Sequence, residues 1–303
     1  MSPRPPWPVW REPARRMLEA MIGGLEGLPM TGAEFSVRLT PESIECGRWL
    51  AGFSTSGLSP SRLQSLSGRL GLDAASARWF VGQGPLARQI GLAVEQTAAQ
   101  SVAKLYLEWP LPAPDLRARP PERRQVALQI SSCKWLIEGP QELPGALRQT
   151  EYWRLSGVDA RAIVALLQEP QEALEDRLRQ AYGALAQCLL AALNQAPHWR
   201  EPRLLLVRDA GSARRGVGLR FYGSDLKVGA VLEPLRALCR GWGLNLEARP
   251  DILAFWADQE LGWLHAGLDG RGEVFIIIYG AIPHDQARSV LSKYESAALQ
   301  LAM

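Results

Sequence analysis

The chain has 303 residues, of which 47% are hydrophobic and 21% charged, a composition that excludes an intrinsically disordered chain and supplies a sizeable core. Lys and Arg total 34 against 31 Asp and Glu, a net charge of +3, which excludes the broad basic footprint of a nucleic-acid-binding surface but leaves room for a local basic pocket. Cys46, Cys133, Cys188 and Cys239 stand far apart with no CxxC pair, so buried thiols are expected and neither a zinc site nor a disulfide framework. The opening "MSPRPPWPVWREPARRM" has no apolar run or small-residue cleavage site, and no stretch of about 18 apolar residues follows, so a cytoplasmic chain without a membrane segment is expected.

Residues 1–12 read as an irregular Pro- and Trp-rich arm, followed by a helix over 13–27. "AEFSVRLT" (33–40) alternates strictly, with Glu34, Ser36 and Arg38 on one face and Phe35, Val37 and Leu39 on the other, which predicts a strand with one apolar face. "SIECGRWLAGF" (43–53) follows after a short connection and predicts the return strand of a hairpin. "SPSRLQSLSGRLGL" (59–72) opens on a Ser-Pro cap signal and carries Leu at helical spacing, so a helix comes next. The phrase then recurs. Strands are expected at 90–97 and 101–109, and a Pro-rich connection at 110–121. Strands at 125–138 and 148–156 and helices at 158–168 and 171–195 follow. A hairpin of 203–209 with 216–223 precedes a helix at 225–242; a hairpin of 261–269 with 273–280 precedes a helix at 284–301.

Two antiparallel strands and a helix thus repeat about five times. Ten or so twisted strands tend to curl, and closure removes their exposed edges. Closure with the apolar faces turned outward to the helices would place the polar faces inside. Strand by strand those faces carry Glu34, Ser36, Arg38; Cys46, Arg48, Leu50; Lys104, Tyr106, Glu108; Ser132, Lys134; Tyr152, Arg154; Arg220, Tyr222; and Ile277, Tyr279. Cations and tyrosines recur with few acids, a set suited to an oligoanion such as a diphosphate. Tyrosine faces also suit a carbocation.

Other chemistries lack their residues. "GQGPLA" (82–87) fits the loose dinucleotide pattern, but Pro85 and the want of a βαβ unit make it a turn. His198, His265 and His284 are not at metal-ligand spacing, and no nucleophile elbow, phosphate-binding loop or DDxxD cluster occurs.

On "EFSVRLTPESIECGRW" (34–49) and "GLAVEQTAAQSVAKLYLEW" (91–109), with "TEYWRLSG", "GVGLRFYG" and "VFIIIYG" in order behind them, the chain resembles the cyanobactin peptide prenyltransferases of the ABBA group. The resemblance spans about residues 30–282. It implies an α+β fold filling 1–303 as a single domain, an ABBA barrel of about ten antiparallel strands enclosed by helices. It implies an enzyme that moves a dimethylallyl or geranyl group from its diphosphate to a side chain of a peptide, macrocyclic in the family, with Mg2+ as cofactor. Glu34 matches the catalytic acid/base, and Arg48 and Lys104 match diphosphate-binding cations, with Lys134, Arg220, Tyr222 and Tyr279 as further contacts. Tyr106 stands where some relatives have histidine, and Leu206 or Val207 falls at the wall that limits prenyl length. Three alternatives stay open: a prenyltransferase for a small indole or phenol, a non-catalytic barrel that holds a phosphorylated ligand or peptide, and a structural α+β protein whose polar faces are merely solvated.

Overall fold

Strict alternation of apolar and polar residues lets a strand bury one face under helices and still present the other to an interior. The computed structural model describes residues 10–97, 100–110, 125–138, 148–168, 175–199, 202–209, 211–282 and 287, and in them ten strands use that option. They are β1 (Met30–Leu39), β2 (Ile44–Ser54), β3 (Gln89–Gln96), β4 (Ser101–Glu108), β5 (Gln125–Glu138), β6 (Arg148–Ser156), β7 (Arg203–Asp209), β8 (Arg215–Arg220), β9 (Glu260–Leu268) and β10 (Val274–Ala281). Each strand pairs antiparallel with its neighbours in sequence, and β1 closes the ring on β10, with Ser36 opposite Tyr279 and Arg38 opposite Ile277. The barrel expected from the repeated unit is therefore present and closed.

Neighbours run in opposite directions, so the order of residues along each strand gives its direction along the barrel. Odd strands descend from the end at Glu34, here called the mouth, to the end at Arg38, the floor; even strands ascend. On β4 this order is Lys104, Tyr106, Glu108, from floor to mouth.

The outward face supplies the core. Phe35, Val37, Leu39, Trp49, Ala51, Phe53, Leu92, Val94, Leu105 and Leu107 are buried there under helices. The helices are α1 (Glu12–Gly24), α2 (Pro60–Arg69), α3 (Ala74–Gln83), α4 (Ala160–Gln168), α5 (Asp176–Gln195), α6 (Leu232–Gly241) and α7 (Pro250–Ala257). α1 lies across β3 to β5, and the long α5 lies along β9 and β10 with α6 beside it. Ser59 caps α2 by accepting from the Arg62 amide, with Pro60 in its first turn, and Asp73 caps α3 by accepting from the Ala75 and Ser76 amides. Truncating a buried aromatic such as Phe35 or Trp49 to Ala would cost about 3–5 kcal/mol.

Several expectations need adjusting. α3 and α7 were not foreseen, since each is a short helix without a Leu repeat. The helix expected over 225–242 begins as a 3-10 turn at Val228–Val231 before α6. "GQGPLA" is a turn as read, a 3-10 turn at Gly84–Leu86. Most of the arm at 1–12, the connection at 110–121 past Pro110, the start of the 171–195 helix and nearly all of the 284–301 helix lie outside the described residues. Within the helices that are described, none is long and apolar enough to cross a membrane.

Cys46 corrects the face assignment. The pairing of β1 with β2 slips between Ser36–Arg48 and Arg38–Glu45, and such a bulge reverses the parity of the strand. Glu45 therefore faces inward to Arg38, and Cys46 turns out to pack against the core, half-buried, while Cys133, Cys188 and Cys239 are fully buried; all four are free thiols. Gly47 permits the slip: a Cβ there would meet the Gln96 carbonyl oxygen at 2.2 Å.

Candidate active site

The inward faces sort by height into three layers. At the floor stand Arg38, Arg48, Lys104 and Lys134, joined by Arg214, which reaches in from the β7–β8 turn. Arg48 and Lys104 are buried, at 8% and 7% exposure, which for charged side chains demands a partner. The partner is Glu95 on β3: Arg48 Nη2 and Lys104 Nζ both contact its Oε1. Cross-strand geometry explains the triad, since Glu95 lies directly opposite Arg48 and one diagonal step from Lys104. Burial alone would push the Glu95 carboxyl up, yet Arg48 and Lys104 hold it down at about 2. Lys104 is driven the other way, its ammonium disfavoured by burial and by Arg48, Arg214 and Lys134, with Glu95 opposing. Around the triad, Arg38 pairs with Asp269 at 2.8 Å and Arg214 with Asp209 at 3.4 Å, and both guanidiniums lie over the Phe275 ring. The sequence reading missed Glu95, and with it the acid that answers the floor's cations.

The middle layer is aromatic. Tyr106 and Tyr152 have centroids 6.2 Å apart, Tyr152 and His265 6.1 Å, and His265 and Tyr279 5.4 Å, with Trp263 edge-on to His265 at 5.7 Å. Burial, then Arg214, Arg48 and Lys104, depress His265 to about 3, so the belt carries a neutral imidazole at physiological pH. Gly218 makes room for that ring, since a Cβ there would lie 2.7 Å from Nε2. Burial also raises the Tyr106 and Tyr279 hydroxyls, which stay protonated as donors. Leu205, Val207 and Tyr152 form a buried apolar cluster beside the belt, with Tyr106, Ile130 and Trp263 against it.

At the mouth a cavity of about 910 Å³ opens from this belt and is lined by Glu34, Glu108, Gln129, Arg220, Tyr222, Trp263 and others up to Asp258 and Glu260 at the rim. Tyr222 donates its hydroxyl to Glu34 Oε1. Burial raises the Glu34 carboxyl to about 7; the Tyr222 hydrogen bond and Arg220 oppose the shift, and the nearby Glu108 adds to it. Glu34 is thus a carboxylate poised between its two forms near neutrality, the condition for a general base. Glu108 receives a long contact from Gln129 Nε2 at 3.4 Å and faces the same cavity.

Of the ten residues singled out from the sequence, the structure brings nine to the barrel interior and divides them. Arg48, Lys104 and Lys134 share the floor, and Tyr106, Val207 and Tyr279 stand at or beside the aromatic belt. Arg220 and Tyr222, expected beside Arg48 and Lys104, are at the opposite end with Glu34, because β8 ascends and Arg220 is its last residue. There Arg220 lies over the Tyr222 ring at 5.3 Å and near Trp263 at 6.0 Å. Leu206 is the tenth; alternation along β7 turns it outward, where it is 39% exposed, and Leu205 takes its place inside. Arg214 escaped the sequence reading because it belongs to a turn, outside any alternating pattern.

The magnesium implied by the resemblance finds no ready cage. Among the described residues no three His, Cys, Asp or Glu side chains stand where they could hold a metal ion, and the floor carboxylates Glu95, Asp209 and Asp269 are tied to Lys104, Arg48, Arg214 and Arg38.

No protein-family model and no curated protein matches the chain. Its fold has solved counterparts. The 5-dimethylallyltryptophan synthase from Streptomyces coelicolor aligns over 88% of this chain and 95% of its own, with a TM-score of 0.54 and 14% identity. The same enzyme in complex with DMASPP and Trp aligns over 88% and 92%, with a TM-score of 0.52 and 14% identity. The apo form of the prenyltransferase PriB aligns over 89% and 94%, with a TM-score of 0.50 and 14% identity. The chain has the ABBA prenyltransferase fold: ten antiparallel strands closed into a barrel, with helices around it.

Proposed function

We propose that the protein is a prenyltransferase that binds a prenyl diphosphate with its diphosphate at the floor and its prenyl chain in the aromatic belt, and delivers the prenyl group to a nucleophile at the mouth. One observation carries this reading: along the barrel axis the interior runs from cations through tyrosines to a carboxylate, in the order a prenyl transfer needs. On β4 alone that order is Lys104, Tyr106, Glu108.

In the reaction the bond between C1 and the diphosphate oxygen breaks, and its electron pair leaves with the diphosphate. Arg48 and Lys104, with Lys134 and Arg214 near them, stabilise the charge that grows on those oxygens. The allylic cation lies against the faces of Tyr106, Tyr152 and Tyr279, which attract it and exclude water. A C–C, C–N or C–O bond then forms to the acceptor, whose released proton goes to the Glu34 carboxylate, held by Tyr222. No step is assigned to a metal ion.

For the acceptor we take a peptide side chain, as in the cyanobactin enzymes. Supporting this, the cavity continues from the belt past Glu34 to polar rim residues including Arg88, Lys227, Asp258 and Glu260, which can meet a chain larger than the reacting group. A second reading, a small indole or phenol, draws on the similarity in fold to an enzyme captured with DMASPP and Trp. Mass spectrometry after incubation with dimethylallyl or geranyl diphosphate tests both at once. Prenylated peptides support the first reading, and prenylated free tryptophan or a phenol alone the second. Donor binding without product in any arm would leave a phospholigand-binding barrel and reject the enzyme.

A further inference from the structure

Glu95 has no part in the transfer just described, yet it occupies the place where the diphosphate is needed. A single oxygen, Oε1, takes both Arg48 Nη2 and Lys104 Nζ, so these two donors of the floor are already committed to one carboxylate. Both cations are buried, and the Glu95 side chain is only 16% exposed. Its position is fixed by the β2–β3–β4 register and by the close approach of β2 to β3 at Gly47. It joins two cations that stand on the strands either side of its own.

We propose that Glu95 is an internal counter-anion of Arg48 and Lys104 that the donor's diphosphate has to displace, and that this exchange sets the site's preference for a diphosphate over ligands of lower charge. The inference rests on the reading of the floor as the diphosphate site. A ligand with one negative charge gains little by replacing a carboxylate that is already in good geometry, since it also leaves Glu95 buried without partners. A diphosphate carries more charge than the carboxylate and more acceptor oxygens, so it can engage Arg48 and Lys104 together with Arg214 and Lys134 and still gain. The same carboxylate returns to the cations after transfer and helps inorganic diphosphate to leave. Glu95 is thus a positioning and selecting residue that acts through Arg48 and Lys104.

The test uses the full chain, Glu95→Gln, and calorimetric titration with inorganic pyrophosphate and inorganic phosphate. Pyrophosphate should bind Glu95→Gln about tenfold more tightly than wild type, the scale of one charge-assisted contact freed from competition. The preference for pyrophosphate over phosphate should shrink. In turnover, KM for the donor and kcat should fall together, because release becomes slow. Pyrophosphate should also raise the melting temperature of the variant more than that of wild type. Where Glu95→Gln does not fold, Glu95→Asp, whose shorter side chain cannot reach both cations, carries the test with a several-fold tightening. Unchanged or weaker pyrophosphate binding in the folded variant, with wild type still binding it, would overturn the proposal and make Glu95 a structural strut. Failure of wild type and variant alike to bind pyrophosphate would instead overturn the donor reading, and this proposal with it.

Discussion

At the floor of the barrel Glu45, Glu95, Asp209 and Asp269 each have an Arg or Lys within 4.0 Å, whereas at the mouth Glu34 and Glu108 have no such partner among the described residues, although Arg220 shares their cavity. The two ends therefore respond differently to pH and to ligands. At the floor Arg48 and Lys104 hold the Glu95 carboxyl down at about 2 against its burial, while burial and the neighbouring cations disfavour the Lys104 ammonium. The mouth holds a buried carboxyl at about 7, ready to exchange a proton. A reaction that must hold a fixed anion at one point and move a proton at another, a molecule's length away, is served by that division.

The largest expected effect breaks the comparison at the mouth. Glu34→Gln should lower kcat by about 10²–10⁴, the range for losing a general base, while calorimetry with an unreactive prenyl thiolodiphosphate shows donor affinity unchanged. Arg48→Ala or Lys104→Ala should do the reverse, weakening that binding by about 10- to 100-fold, since a hydrogen bond to a charged group is worth about 1.5–3 kcal/mol. Equal losses of donor affinity at both ends would contradict the division.

The titration of Glu34 sharpens it further. Its folded value of about 7 exceeds the ordinary 4.5, so the contribution to stability is fully present below pH 4.5 and is lost as pH rises to 7. Wild type should then be less stable than Glu34→Gln at pH 8 by on the order of 3 kcal/mol, with the difference vanishing near pH 4.5, as urea melts at the two pH values would show. Activity has the opposite sign: kcat/KM should climb about tenfold per pH unit up to about 7, where the carboxylate predominates.

The smallest effect concerns the apolar wall. Leu205→Phe should reduce use of geranyl diphosphate by about tenfold relative to dimethylallyl diphosphate, in line with the ~1–3 kcal/mol cost of overfilling a packed site. Leu206→Ala, on the outer face, should leave donor choice unchanged.

Much of this was legible in the sequence because a strand has a period of two, and a period of two reports the face. Glu34, Arg48, Lys104, Tyr106 and Tyr279 all point inward as their alternation required. Alternation does not report height, which depends on strand direction and tilt; Arg220 and Tyr222 were on the face expected, at the end opposite Arg48 and Lys104. It also fails where a bulge shifts parity, as at Cys46, or where a residue leaves the strand, as at Arg214. Glu95 was hidden by its own strand: Gly91 and Ala93 precede it on the inward face, so "GLAVEQ" reads as apolar throughout, and only the pairing with β2 and β4 shows what it touches.

The most direct test of the division is a crystal structure with the dimethylallyl thiolodiphosphate analogue bound. The account predicts its diphosphate within hydrogen-bond reach of Arg48 and Lys104, its prenyl tail between Tyr106 and Tyr279, and Glu34 clear of the phosphates. A diphosphate seated on Arg220 and Tyr222 at the mouth would contradict it.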